Sequence, residues 1–231
     1  MLTPAEWQAV RLTLLVAATA IVLTLPLAIA VGWLLAKRSF PGKFLVETLV
    51  NLPLVMPPVV TGYLLLVLFG REGVLGRFFE NTLGLRFVFD WKGAALASAV
   101  VAFPLLVRPI RLSFAAIDER LVQAGRTLGA GPWDAFWSIS LPLARSGILS
   151  GALLGFARSM GEFGATIMIA GSIPGETRTI SLLIYSLLET PGGMQASLRL
   201  VWISIAIAAA ALLAGEWLDR RGRRLLQNGA V

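Results

Sequence analysis

The chain has 231 residues, of which 57% are apolar and only 14% charged, and it carries a formal net charge of +7. Soluble domains are about 25% charged, so an ordinary soluble domain, a disordered chain and a basic nucleic-acid-binding tail are all excluded. With no His and no Cys in the sequence, there is no thiolate nucleophile, disulfide framework, Cys/His zinc site or His-based triad either. An integral membrane protein remains.

In chain order, Thr3-Pro4-Ala5-Glu6 reads as a capping box with proline at the first helical position, which starts a helix near Pro4. The uncharged window Leu12–Ala36 follows with 25 residues, where about 20 suffice to cross a ~30 Å hydrocarbon core. It is too long for a signal-peptide core, and its basic cluster follows rather than precedes it. After the turn Phe40-Pro41-Gly42-Lys43, a second span is expected over Thr48–Gly70. Its start holds Pro53, Pro57 and Pro58, which free backbone carbonyls that membranes tolerate only beside protein or a water-filled cavity. A pathway or hinge is one reading and a plain kink the other.

A glycine-broken loop, Arg71–Lys92, leads to a short third span, Gly93–Val107, which borrows Trp91 and Lys92 at one end and a snorkelling Arg108 at the other. The polar stretch Arg108–Arg145 predicts two short helices. Asp118 caps one that runs to Leu128 and stops at Gly129, and Gly131-Pro132 opens another over Trp133–Ile139, ending before Pro142. Trp133, Phe136 and Trp137 are expected to be exposed there, for a soluble partner or for the inner leaflet.

The fourth span is Ser146–Ala170, whose only charges are Arg158 and Glu162. At a spacing of four they share a helix face, and each costs at least ~2.5–3.5 kcal/mol unpaired at this depth. They are expected to pair, either lining a solute path with Gly164 close by or fixing helix rotation. Gly147, Gly151, Gly155 and Ser159 form a small-residue row for close helix packing. In Gly171–Gln195, a turn at Ile173–Glu176 precedes a short apolar helix, Ile180–Leu188, either interfacial or re-entrant, and Ala196–Trp217 is the fifth span.

Basic residues orient the chain. With the N-terminus outside and five crossings, the inner segments hold twelve: Lys37, Arg38, Lys43, Arg108, Arg111, Arg120, Arg126, Arg145, Arg220, Arg221, Arg223 and Arg224. The outer segments hold seven, Arg11, Arg71, Arg77, Arg86, Lys92, Arg178 and Arg199. N-out and C-in is the orientation this favours. No phosphate-binding loop occurs, so the chain is not expected to bind or hydrolyse ATP itself. No cofactor, metal or catalytic residue is expected.

The run Gln123-Ala124-Gly125, Gly129, Ile139, Leu141-Pro142 resembles the cytoplasmic signature of permease subunits of importer-type ABC transporters, which is Glu-Ala-Ala, three residues, Gly, nine residues, Ile, one residue, Leu-Pro. Every spacing is kept, with Gln at 123 and Gly at 125 as departures. Four further stretches, Ser39–Lys43, Leu52–Val60, Ala157–Thr166 and Ile173–Thr179, together with Arg126–Ala130, are similar to the molybdate permeases of that family. Sulfate/thiosulfate permeases share several of these motifs but are usually longer, with six spans.

The resemblance implies an all-α integral membrane fold, one permease domain over 1–231, in a bacterial inner membrane. It implies an ATPase-coupling loop, 108–145, carried by Gln123, Ala124, Gly125, Arg126, Leu128, Gly129, Ile139, Leu141 and Pro142. It also implies three kinds of partner: a second copy, two cytoplasmic ATP-binding subunits and a periplasmic oxyanion-binding protein. Pro57, Pro58, Arg158, Glu162 and Gly164 are the candidates for a pathway or gate.

Overall fold

The computed structural model describes residues 2–228, except the side chains of Glu216 and of 218–228. The cluster Arg220, Arg221, Arg223 and Arg224, part of the orientation argument, therefore lies outside the described side chains. Among the described residues the regular structure is entirely helical.

Helix α1, Pro4–Lys37, begins on the expected capping box: Thr3 Oγ1 accepts from Glu6 N–H, and Glu6 Oε2 accepts from Thr3 N–H at 2.7 Å. α2, Lys43–Val55, and α3, Pro58–Phe69, occupy the second expected span and meet at an angle of 113°. α4, Val74–Leu83, lies in the glycine-broken loop, followed by α5, Trp91–Ala115. α6, Glu119–Thr127, α7, Pro132–Ala135, a π turn at Phe136–Ser140, and α8, Leu141–Leu143, form the hairpin. α9, Arg145–Met160, α10, Gly164–Ala170, α11, Ile180–Leu188, and α12, Gly193–Asn228, complete the chain.

Three helices, Pro4–Lys37, Trp91–Ala115 and Gly193–Gly215, are long and apolar enough to span a membrane alone. The count reaches five when each of two bent pairs, α2 with α3 and Pro132–Leu143 with α9, is one span. α5, the shortest window in the sequence, is the centre of the bundle. In its most apolar stretch 67% is buried, against 28% in α1 and 11% in α12. Charge-free length misjudged it because Lys92, Arg108 and Arg111 sit inside the helix near its ends.

α1 and α5 run parallel: Gln8 and Arg11 stand beside Phe89 and Trp91 at one end, and Lys37 Nζ donates to Ile117 O at 3.0 Å at the other. α9 runs back against both. A Cβ on Gly151 would come within 2.8 Å of Leu106 O, and one on Gly155 within 2.9 Å of Ile21 Cδ1. The small-residue row is thus a packing seam, as close backbone approach in membranes requires. The fold sorts α4 and α11 to the Thr3 end and the α6–α8 hairpin to the Lys37 end.

Two expectations are corrected. The fourth span, Ser146–Ala170, is not continuous: it breaks at Gly161–Phe163, because Glu162 caps a new helix there. The second hairpin helix does not end before Pro142. Backbone of helical geometry runs on through the π turn and α8, with Pro142 inside the run just after the π turn, and the chain bends by 64° before α9.

Candidate functional site

Two features carry the candidate chemistry. The first is where two broken segments meet. Pro57 and Pro58 stop α2 and restart the chain as α3, with Met56 and Pro57 extended. The second break, Gly161–Phe163, lies against it. A Cβ on Gly164 would stand 2.9 Å from Pro58 Cβ, and one on Gly62 would stand 2.6 Å from Ala165 O. α3 and α10 therefore start side by side and run in the same direction.

Arg158 and Glu162 pair as expected, with Nη1 2.7 Å from Oε2. They do not lie on one helix face, because α9 ends at Met160. Arg158 sits in the last turn of α9, where the helix dipole favours a cation. Glu162 sits just before α10 and accepts from Ala165 N–H through Oε1 at 2.8 Å, where the dipole favours an anion. The carboxylate is almost fully buried, while the Arg158 side chain is 30% exposed. One turn beyond the first break the buried Thr61 hydroxyl has no hydrogen-bond partner, and neither has Ser159 in the turn before the second. Unsatisfied buried hydroxyls are rare in folded proteins; of those among the described residues, Thr61 and Ser159 flank the breaks, while Ser98 lies in α5 and Thr179 starts α11.

Pro57, Pro58, Arg158, Glu162 and Gly164 are thus brought into one region. Phe163 extends it, its ring 5.2 Å from that of Tyr185 on α11.

The second feature is the hairpin at the Lys37 end. Asp118 Oδ1 accepts from Arg120 N–H at 2.9 Å and starts α6 as expected. Gly129, at φ +100°, ends it: Ala130 N–H donates to Gly125 O and Gly129 N–H to Arg126 O, both at 3.1 Å. This pair of bonds is a Schellman closure, which needs a left-handed residue and hence glycine. A Cβ at Gly129 would meet nothing within 4 Å. Backbone conformation selects that glycine; packing does not.

The nine expected coupling residues divide in two. Gln123, Ala124, Arg126, Leu128, Gly129 and Pro142 are exposed, Leu128 at 90%. Gly125, Ile139 and Leu141 are half-buried and hold the hairpin together, with Gly125 directly against Ile139. Trp133 and Trp137 are exposed as expected. Phe136 turns inward, edge-on to Trp33 at 5.9 Å and stacked on Phe114 at 6.2 Å, so it fastens the hairpin to α1 and α5.

Several supports went unread in the sequence. Arg199 Nη2 lies 2.7 Å from Glu6 Oε1 and ties α12 to α1. Thr13 Oγ1 accepts from Ile180 N–H at 2.8 Å and starts α11. Arg111 pairs with Glu47 at 2.9 Å, and Arg108 donates to Asn51 Oδ1 at 2.9 Å, joining α5 to α2. Lone charges near the ends of apolar windows were the available signal, but their partners lie up to 193 positions away.

Against known proteins, the family described as "Binding-protein-dependent transport system inner membrane component" matches residues 28–224. The molybdenum transport system permease protein ModB of Escherichia coli (strain K12) is 52% identical, over 96% of this chain and 97% of that one. The ModB of Haemophilus influenzae is 51% identical, over 98% and 99%. The sulfate transport system permease protein CysW of Synechococcus elongatus is 35% identical, over 86% and 70%. Among solved structures, a bacterial ABC transporter that imports alginate aligns with a TM-score of 0.71 at 19% identity, over 96% of this chain and 80% of that one. The MetNI methionine ABC transporter aligns at 0.69 and 16%, over 94% of each. At those identities the likeness is one of fold.

Proposed function

Given that the chain belongs to the binding-protein-dependent transport system inner membrane component family, we propose that it is the permease subunit of an ABC importer for molybdate or tungstate in a bacterial inner membrane, N-out and C-in. Two copies form the path. Two ATP-binding subunits take up the hairpins inside, and a periplasmic oxyanion-binding protein docks outside.

The observation that carries the reading is the hairpin. A glycine-locked bend presents Leu128 at 90% exposure at the end of the bundle that the basic residues mark as inner. An exposed leucine on a rigid, capped support is what a groove in a soluble partner needs. Phe136 passes movement of that hairpin to α1 and α5 through its ring contacts. α5 in turn packs on α9, whose end holds Arg158 and the break.

At the elbow, the broken backbone and the unpaired Thr61 and Ser159 hydroxyls supply polar groups that a membrane tolerates only beside protein or a water-filled path. The chain is non-catalytic, and ATP hydrolysis belongs to its partner. The anion assignment rests on the ModB relatives, whose identity exceeds that of the sulfate relative over nearly the whole length. The test is uptake by proteoliposomes containing the chain, its ATPase and its binding protein. Molybdate should be taken up only with ATP inside and binding protein outside, and tungstate should compete better than sulfate. Uptake preferring sulfate would move the assignment to the sulfate permeases.

A further inference from the structure

A cavity of about 470 Å³ opens at the Thr3 end, where the first turns of α1, the start of α5 and the Gly175 turn converge. Its walls are built. Phe89 is held at φ +56°, the one non-glycine left-handed residue among those described, by an N–H bond to Ile169 O at 3.0 Å. Such a conformation costs about 1–3 kcal/mol and persists only where the surroundings impose it.

The opposite wall is equally fixed. Ile173 N–H donates to Thr177 Oγ1 at 2.9 Å, Arg178 holds Ser172, and Thr13 receives Ile180 N–H. Phe89 is 62% exposed, with Trp91 lining the same cavity.

The charges choose the occupant. Arg11 and Glu176 line the same cavity, and among the described residues neither has a side-chain partner, within the chain or across the cavity. Asp90 also faces it but is already paired with Lys92 at 3.0 Å. A free oxyanion would meet one unpaired guanidinium, one unpaired carboxylate and the Asp90–Lys92 pair, no net positive charge to hold it. A protein loop that carries an acidic and a basic side chain around an apolar one satisfies both unpaired charges and covers the aromatic pair.

We propose that this cavity is the socket for a protruding loop of the soluble binding protein, with a carboxylate of the loop on Arg11, a basic side chain on Glu176 and an apolar residue on Phe89 and Trp91. The proposal rests on the permease reading above and names its docking residues. The same wall leads inward: the Gly175 turn continues into α11, whose Tyr185 touches Phe163 at the second break. Seating a loop here thus bears on the segment that reaches the elbow.

The experiment uses the whole transporter in nanodiscs. In Arg11→Glu and Glu176→Lys the binding-protein concentration that half-stimulates the ATPase should rise about tenfold and depend less on salt than in the wild type. Because the chain has no Cys, Glu176→Cys takes a single photo-crosslinker, which should capture the binding protein. Thr82→Cys on α4, outside the cavity, should capture much less. Unchanged half-stimulation in both charge variants, or capture of a second copy of the chain, overturns the socket. So does molybdate binding to the transporter without its binding protein that Arg11→Glu abolishes, since the site would then hold the anion. A wild-type ATPase that ignores the binding protein defeats the permease reading itself, and the socket with it.

Discussion

Gly164 lies against Pro58, so closely that a methyl group on the glycine would stand 2.9 Å from the proline ring. Through this contact the breaks of two membrane segments, more than a hundred residues apart in sequence, become one region. Its polar groups are Arg158, Glu162, Thr61 and Ser159.

Gly164→Val should separate the two breaks. Overpacking of this kind costs about 1–3 kcal/mol, so the transporter should still assemble while molybdate uptake falls at least about tenfold. Purification with the ATPase and an uptake assay check the two halves.

Replacing Arg158 alone leaves the buried Glu162 carboxylate without its cation, a loss of about 3–5 kcal/mol for buried pairs. Arg158→Met combined with Glu162→Gln should be milder than the sum of the single changes. A double-mutant cycle on thermal stability in detergent should show coupling above about 1 kcal/mol. Additive effects would mean that the pair does not act as a unit.

At the hairpin, two glycines should respond differently. Gly125→Ala meets only the flexible end of Ile139 and restores the Ala of the family signature, so ATPase coupling should be retained. Gly129→Ala forces a left-handed alanine, costing about 1–2 kcal/mol. Gly129→Asp adds a charge pointing into open space on the proposed docking face. Assembly in the membrane should persist in Gly129→Asp while binding-protein-stimulated ATPase and uptake are lost.

Gly151→Leu should act through packing alone. Its side chain would run into the Leu106 backbone, and backbone cannot yield as a side-chain tip can. The thermal unfolding midpoint should fall, together with the yield of folded protein, in a way that no cytoplasmic partner restores.

Much was readable from local pattern. The capping box at Thr3, the Asp118 cap, the Gly129 stop and the packing row Gly147–Gly151–Gly155 each depend on residues within a few positions of one another, and each was found where expected. The errors also have a local cause. Arg158 and Glu162 looked like two residues of one helix because their spacing fits a helix face. Glu162 instead spends its second oxygen on Ala165 N–H and starts a new helix. The hairpin was cut short at Pro142 because proline commonly ends a helix, whereas here a π turn precedes it and the helical backbone runs on to Leu143.

Composition, charge placement and motif spacing thus determined a membrane protein, its long apolar helices, and the family, since each follows from short-range chemistry along the chain. Only the tertiary structure decided that the two breaks touch, that Arg199 locks onto Glu6, and that Arg11 and Glu176 share a cavity without pairing. These are contacts between distant segments. They are set by how the helices dock, so no window of sequence contains them.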